Sequence, residues 1–407
     1  MASDGKYDMS LVILPNPQLA NPLMYSPLGV LYIASSLLLN GWKVAMVDMR
    51  DMEPDVNQIP ESEFVGFSCT TPEVGYARKL SKELPHGTKT IIGGAHATLL
   101  PGDCEGFDYI IQGEGEFITQ WIPQKAPGVI CGERILELDR LPIPAYHIIP
   151  TDRLLSKELF PGERYGKGKL GMTIICSRGC PYSCAYCGNL LRAPVIYNSP
   201  SYILAELRHL QYAYKVNYFR FEDDNITLNK DWIVEVCRMI KSLNIHWKAH
   251  TRSDLVDIDT LRIMREAGCE EMGLGVESAD DGVLDLVNKK ETAADHRVAV
   301  ETIKKSGMRA KVYLMAGLPG ETLETVELNK RFMMETQPDK WTLSRFTVYP
   351  GCDIWNEPGK YGVVITDMNF NHYWNFPNSS CHSLVDTSVE ELDKRYKEFY
   401  SWLRNHT

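Results

Sequence analysis

From residue 169 onward the chain alternates short apolar runs with amphipathic stretches, and this alternation constrains its fold more than any other feature. "KLGMTIICS" reads as a strand, "SYILAELRHLQYAY" as a helix with one apolar face, and "VNYFRFEDD" as a strand ending in acids. The pattern then predicts a helix over 229–243, strand "IHWKAH", a helix over 258–267, strand "EEMGLGVES", a helical stretch around 294–306, strand "AKVYLMAGL", a helix over 321–336 and strand "WTLSRFTVYP". Strands separated by helical crossovers imply a parallel sheet, since parallel neighbours need long connections. Ligands of such sheets collect at the C-terminal strand ends.

The first 135 residues form a second α/β unit. "MSLVILPN", "WKVAMVD", "EFVGFSC", "TKTIIGG" and "FDYIIQGEGE" read as five strands, and "PLGVLYIASSLLLNG" as a buried helix stopped by Gly41. This predicts a doubly wound sheet. No G-x-G-x-x-G follows the first strand, which argues against a nicotinamide-binding domain.

The first strand of the unit that begins at residue 169 runs into "CSRGCPYSCAYCGN", residues 176–189. Cys180, Cys184 and Cys187 have the spacing C-x3-C-x2-C, and Cys176 cannot begin that pattern because position 183 is serine. A structural zinc site usually takes two ligand pairs from separated turns, whereas these sulfurs share one segment. Three thiolates from one loop suit a four-iron cubane cluster, holding three irons and leaving the fourth open to a ligand. The scattered Cys69, Cys104, Cys131, Cys237 and Cys269 read as buried and unliganded.

The loop resembles the signature of radical S-adenosylmethionine (SAM) enzymes, with Tyr186 at the aromatic position before the last cysteine. The resemblance implies a partial (β/α)6 barrel, a [4Fe-4S] cluster on Cys180, Cys184 and Cys187, and SAM chelated at the open iron and cleaved to a 5′-deoxyadenosyl radical. It assigns Asp223 and Asp224 of "FEDDNIT", Glu277 of "GLGVES" and Gly317 of "MAGLPGET" to SAM. Arg252 of "HTRSD" joins that set as a residue able to face a carboxylate bidentately. Cys176 is left as a strand-end residue.

"PLGVLYIASSLL", "VGFSCTTP", "IIGGAHATLLP" and "IIQGEGE" resemble the cobalamin-binding domain fused to one large class of these enzymes, and "LDRLPIPAYHIIP" resembles the linker that follows it. The implied cobalamin contacts are Pro27, Leu28, Gly29, Thr70, Gly93, Gly94, His96, Gly113 and Glu114. There are two departures. The chain has no D-x-H-x-x-G, so no histidine is expected beneath the cobalt, His96 included. Only residues 49–63 separate the second and third strands, too few for the usual crossover helix, which leaves a vestigial platform as the alternative to a true cobalamin site.

The resulting expectation is a doubly wound, Rossmann-like sheet of the cobalamin-binding type over 1–135, a linker over 136–167, a radical SAM partial barrel over 168–355 and a helical C-terminal extension over 356–407. Thr387 and Glu390 form a capping-box pattern before the last helix, and the aromatic segment 369–383 reads either as packed rings or as the rim of a substrate mouth. A formal charge of −10 with no Lys/Arg tract argues against a long nucleic acid partner. The N-terminus shows no signal pattern and no apolar run approaches the ~20 residues of a membrane span, so a cytoplasmic location is expected. The implied activity is methylation of an unactivated carbon or phosphorus centre of a small molecule or peptide, driven by an external one-electron reductant. The alternatives are a radical SAM reaction without methyl transfer (cyclisation, rearrangement, oxidation or epimerisation) and a non-catalytic metal-binding protein.

Overall fold

The computed structural model describes residues 6–15, 19, 21–122, 124–155, 170–188, 190–373 and 380–407. The chain divides into two compact units, Met1–Ile174 and Ile175–Thr407.

The first unit carries β1 (Tyr7–Ile13), α1 (Leu28–Leu39), β2 (Val44–Asp48), β3 (Ser62–Ser68), α2 (Val74–Glu83), β4 (Lys89–Gly93), α3 (Ala95–Leu99), β5 (Tyr109–Gln112), α4 (Ile118–Trp121), β6 (Gly128–Cys131) and α5 (Thr151–Leu154). Its sheet has the order β2-β1-β3-β4-β5-β6, with parallel pairing between all neighbours. The apolar α1 ends where Gly41 turns left-handed (φ 81°). There the Gly41 and Trp42 N–H groups reach back to the Leu38 and Leu37 carbonyls, satisfying groups the helix end would otherwise orphan.

The sixth strand was not expected. β6 has only four residues and an exposed outer side, so it gives little periodic signal, and Cys131 on it is exposed rather than buried. The short connection after β2 contains only a single 3-10 turn at Val56–Gln58, as its length requires. Past the end of β2, Asp48 is held by Arg50 (2.7 Å) and Arg153 (2.9 Å). Burial raises the Asp48 carboxyl, and the two guanidiniums more than reverse that.

The next elements are β7 (Gly171–Ile174), a small hairpin of β8 (Ser177–Arg178) and β9 (Ile196–Tyr197), α6 (Pro200–Tyr214), β10 (Tyr218–Phe221), α7 (Lys230–Ile240), β11 (His246–Thr251), α8 (Ile258–Glu266), β12 (Cys269–Glu277), α9 (Asp281–Leu286), α10 (Ala293–Lys305), β13 (Arg309–Ala316), α11 (Leu323–Thr336) and β14 (Lys340–Arg345). The second sheet has the order β14-β13-β12-β11-β10-β7, the six-stranded half-barrel that the alternation predicts. Helix starts are set by side-chain caps: Ser199, Asn229, Asp257, Asp280, Thr292 and Thr322 each accept a backbone N–H of the first turn. On β13 the residues alternate strictly between half-buried and buried, so one face packs on helices and the other lines an open lumen.

After the barrel come α12 (Asp353–Asn356), the antiparallel pair β15 (Val363–Ile365) and β16 (His382–Leu384), and α13 (Val389–His406). The cap of α13 is Ser388, whose Oγ accepts the Glu391 N–H, one residue beyond the predicted Thr387. In the aromatic segment, Phe370 and Tyr373 pack with Trp355 in the core, while residues 374–379 lie outside the described residues. No helix among the described residues is long and apolar enough to cross a membrane.

Candidate functional site

The cysteine loop is pinned from two sides. The Ala185 N–H donates to the Val287 carbonyl (2.8 Å), and Asn288 Nδ2 donates to Ser183 O (2.8 Å). All three signature cysteines are free thiols; Cys184 is buried, and Cys180 and Cys187 are half-buried. Asn225 Nδ2 lies 3.3 Å from Cys180 Sγ, and Arg252 Nη1 lies 3.8 Å from Cys184 Sγ. The strand ends "FEDDN" and "HTRSD" thus each send a donor to a signature sulfur.

Among the described residues no three His, Cys, Asp or Glu side chains converge on a single ion. Three free thiols, two of them faced by N–H donors, fit a cubane cluster, whose potential is tuned by hydrogen bonds to its sulfurs. Burial raises the Cys180 thiol above its ordinary value, so metal binding there would release a proton.

Behind the loop lies a charge network that only partly shows in the sequence motifs. Glu277 stands in left-handed backbone (φ 63°), a conformation costing a non-glycine residue roughly 1–2 kcal/mol. The register with β13 shifts between Gly275 and Glu277, and a Cβ on Gly275 would sit 2.7 Å from Glu277 Oε1. A bulge re-aims this carboxylate, and glycine leaves it the space.

Lys289 lies 3.7 Å from Glu277 and 3.1 Å from Glu291. Its burial disfavours the ammonium, yet the two carboxylates hold its pKa above the ordinary lysine value. Arg252 pairs with Asp254 through Nε (3.0 Å) and Nη2 (3.2 Å), donates to the Lys289 carbonyl (2.9 Å) and stacks over the Tyr182 ring (3.8 Å). Its bidentate carboxylate is therefore the neighbouring Asp254. Glu291 accepts the Ser253 and Asp254 N–H groups (2.6 and 3.1 Å). Sequence reasoning missed Lys289 and Glu291. Their segment has no periodic pattern, and the signal that could have found them was a lysine and an acid in the short "NKKET" connection directly facing the cysteine loop.

Asp223 is fully buried and accepts the Cys176 N–H (3.2 Å) and the Ser177 hydroxyl, tying the end of β10 to the start of the loop. Burial lifts its carboxyl to about 7. Asp224 is exposed beside Cys180. Gly317 turns left-handed (φ 86°), its N–H donating to Glu321 Oε2 (2.8 Å) and its carbonyl accepting from His382 Nε2 (2.8 Å).

Glu321 is buried, with Oε1 lacking any partner, and burial lifts its carboxyl to about 7. Stability drawn from the protonated form is whole below the unfolded-chain value near ~4.3 and is lost as pH rises through about 7. Glu321→Gln keeps an acceptor for Gly317 and cannot ionise. It is expected to flatten a wild-type loss on the order of 2–3 kcal/mol between about pH 5 and pH 8, read by thermal unfolding across that range.

In the first unit the candidate residues gather at the C-terminal edge of the sheet. Pro27 precedes α1, with Leu28 and Gly29 in its first turn, and space around the Gly29 Cα is open. Thr70 is exposed and takes a hydrogen bond to Glu73 through its N–H (2.8 Å). Gly93 ends β4, and Gly94 has φ 89° with a Cβ position only 2.8 Å from the Cys69 carbonyl, so no other residue fits there. Gly113 is also left-handed (φ 83°). His96 and Glu114 turn inward. The His96 ring is fully buried with Nε2 2.8 Å from Asp103, and Glu114 accepts the Ile135 N–H (2.7 Å) and pairs with Arg134 (3.0 Å). The remaining edge is largely backbone and glycine, which suits the flat face of a corrin.

Comparison with known proteins agrees with this geometry. The B12 binding domain matches residues 22–119 and the radical SAM superfamily matches residues 174–333. The chain is 28% identical to an uncharacterized methyltransferase of Pyrococcus horikoshii, over 92% of this chain and 87% of that one. It is 24% identical to the anaerobic magnesium-protoporphyrin IX monomethyl ester cyclase of Rubrivivax gelatinosus, over 85% and 69%. The radical SAM methyltransferase TsrM from Kitasatospora setae, solved with cobalamin and a [4Fe-4S] cluster, superposes with a TM-score of 0.64 at 17% identity, covering 86% of this chain and 77% of that one. A B12-binding domain followed by a radical SAM domain places the chain among the cobalamin-binding radical SAM enzymes, and the two domains imply SAM, a [4Fe-4S] cluster and cobalamin as its cofactors.

Proposed function

We propose that this chain is a cobalamin-dependent methyltransferase acting on an unactivated carbon or phosphorus centre. The observation that carries this reading is the trio of free thiols Cys180, Cys184 and Cys187, backed by Asn225 and Arg252, in a chain that also has a B12-binding domain. When bound, the cluster and SAM would supply a 5′-deoxyadenosyl radical able to take a substrate hydrogen atom, and methylcobalamin, its methyl drawn from a second SAM that leaves as S-adenosylhomocysteine, would supply the methyl group. The three thiolates would hold the cluster, with Asn225 and Arg252 donating to the Cys180 and Cys184 sulfurs. Glu277, kept in place by Lys289, receives the polar end of SAM with Asp223, Asp224 and Gly317, while Arg252 and Glu291 brace the loop. Pro27, Leu28, Gly29, Thr70, Gly93, Gly94, His96, Gly113 and Glu114 form the cobalamin edge, His96 and Glu114 by shaping it from within.

The division into 1–135, 136–167, 168–355 and 356–407 is retained as the functional layout. An external one-electron donor reduces the cluster. A cytoplasmic location is supported by eleven cysteines that are all free thiols. The magnesium-protoporphyrin cyclase relative favours a second reading, a radical reaction without methyl transfer.

The test is anaerobic reconstitution with iron, sulfide and hydroxocobalamin. Methyl transfer predicts about one retained cobalamin per chain and, with SAM and reductant, both 5′-deoxyadenosine and S-adenosylhomocysteine. Loss of cobalamin on gel filtration from protein with full iron content overturns methyl transfer and leaves the radical reading.

A further inference from the structure

The lumen of the half-barrel is charged. On β10 and β11 its face presents Arg220 and Lys248, with His250 one step further along, and on β12 and β13 it presents Glu271 and Lys311. Glu271 is already engaged by Lys340 (2.9 Å) and faces Arg309 (3.7 Å), and Glu222 is engaged by Arg220 (2.6 Å). Lys311 is half-buried, 4.7 Å from the Tyr313 ring; Glu271 and Glu222 act on it at longer range, and it forms no ion pair among the described residues. Next to it, His250 meets the Tyr313 ring edge-on (5.4 Å) in space that Gly273 leaves open, and its buried Nε2 has no hydrogen-bond partner among the described residues.

The positive surplus has consequences for these groups. Burial, then Arg220, Lys311 and Lys248, hold the His250 imidazole well below its ordinary value. Burial brings Lys248 down to about 7 and lowers Lys311 as well. Buried cations with too few carboxylates are costly unless a ligand supplies the missing charge. Glu277, assigned to SAM, lies about four residues, or ~13 Å, beyond Gly273, the β12 partner of Lys311, so the lumen is left to the substrate rather than to SAM.

We propose that this lumen binds an oxyanion of the substrate, a carboxylate or a phosphate, on Lys311 with His250 Nε2 as a second donor. Resting on the radical SAM reading above, the inference narrows its substrate to anionic molecules that extend from the cluster edge into the barrel. Lys248 and Arg220 add long-range attraction, and the Tyr313 ring forms the wall beside the anion.

The probes are labelled inorganic phosphate and labelled succinate, each in equilibrium dialysis against the cluster-loaded full chain with SAM present. Saturable binding of at least one probe is expected, near one per chain and weakened at least tenfold in Lys311→Met with wild-type iron content. Preference between the probes identifies phosphate or carboxylate. If Lys311→Met loses iron, His250→Phe is read in its place, with the same expected loss. No saturable binding to wild type, or binding unchanged in the readable variant, overturns the inference. 5′-Deoxyadenosine is measured on the same samples: its formation without anion binding sinks this inference alone, and anion binding without it sinks the radical reading while leaving the anion site.

Discussion

Replacing Cys180, Cys184 or Cys187 by alanine is expected to strip the protein of its cluster and abolish SAM cleavage, whereas Cys176→Ala keeps both. Each signature thiolate would hold a separate iron, so losing one leaves a cubane corner without its protein ligand. Cys176 differs in placement. It is fully buried after β7, burial raises its thiol well above the ordinary value, and its backbone N–H is committed to Asp223. Iron and sulfide analysis with absorbance near ~400 nm on anaerobic protein makes the check. Loss of iron in Cys176→Ala would point to a four-cysteine site and remove the open iron that SAM needs.

Removing Lys289 is expected to be the most damaging change outside the cysteines. Its ammonium sits between the buried Glu277 and Glu291, and Lys289→Met leaves two buried carboxylates with one cation fewer. Breaking a buried pair by deleting one partner costs about 3–5 kcal/mol. For a unit of this size, even the low end of that range lowers the melting temperature by roughly 6–12 °C. Glu277→Ala should behave differently, cutting SAM cleavage at least tenfold while iron content stays intact. Thermal unfolding, iron analysis and 5′-deoxyadenosine assay on both variants separate the roles. A stable Lys289→Met protein with full cleavage activity would show that the network does not support the site.

The strands of both units were legible because their residues are apolar runs or strict alternations, and α1 because its apolar length ends at a glycine. The cysteine spacing pointed to the cluster loop, with Tyr186 and the strand–helix alternation around it as the deciding context. What was missed has no local pattern. β6 is four residues at an exposed edge, α9 is a short turn of helix, and the Lys289–Glu291 pair acts on Glu277 and Arg252 only after the chain has folded. The slip of the last helix cap from Thr387 to Ser388 reflects two adjacent hydroxyl residues with acids suitably spaced after both. The lumen charges did leave a trace. Lys248 and His250 in "HWKAH" and Lys311 and Tyr313 in "AKVYL" are polar or amphipathic residues at period two, marking a strand face that is not core. Within the first unit, the inward turn of His96 depends on Asp103 seven residues away, a pairing that no motif announces.

The most direct test of the account is the amount of 5′-deoxyadenosine formed when cluster-reconstituted protein is incubated without oxygen with SAM and dithionite. More than about one equivalent per chain is expected, dependent on reductant and absent from the Cys184→Ala variant. Protein with its full iron complement that forms none would contradict it.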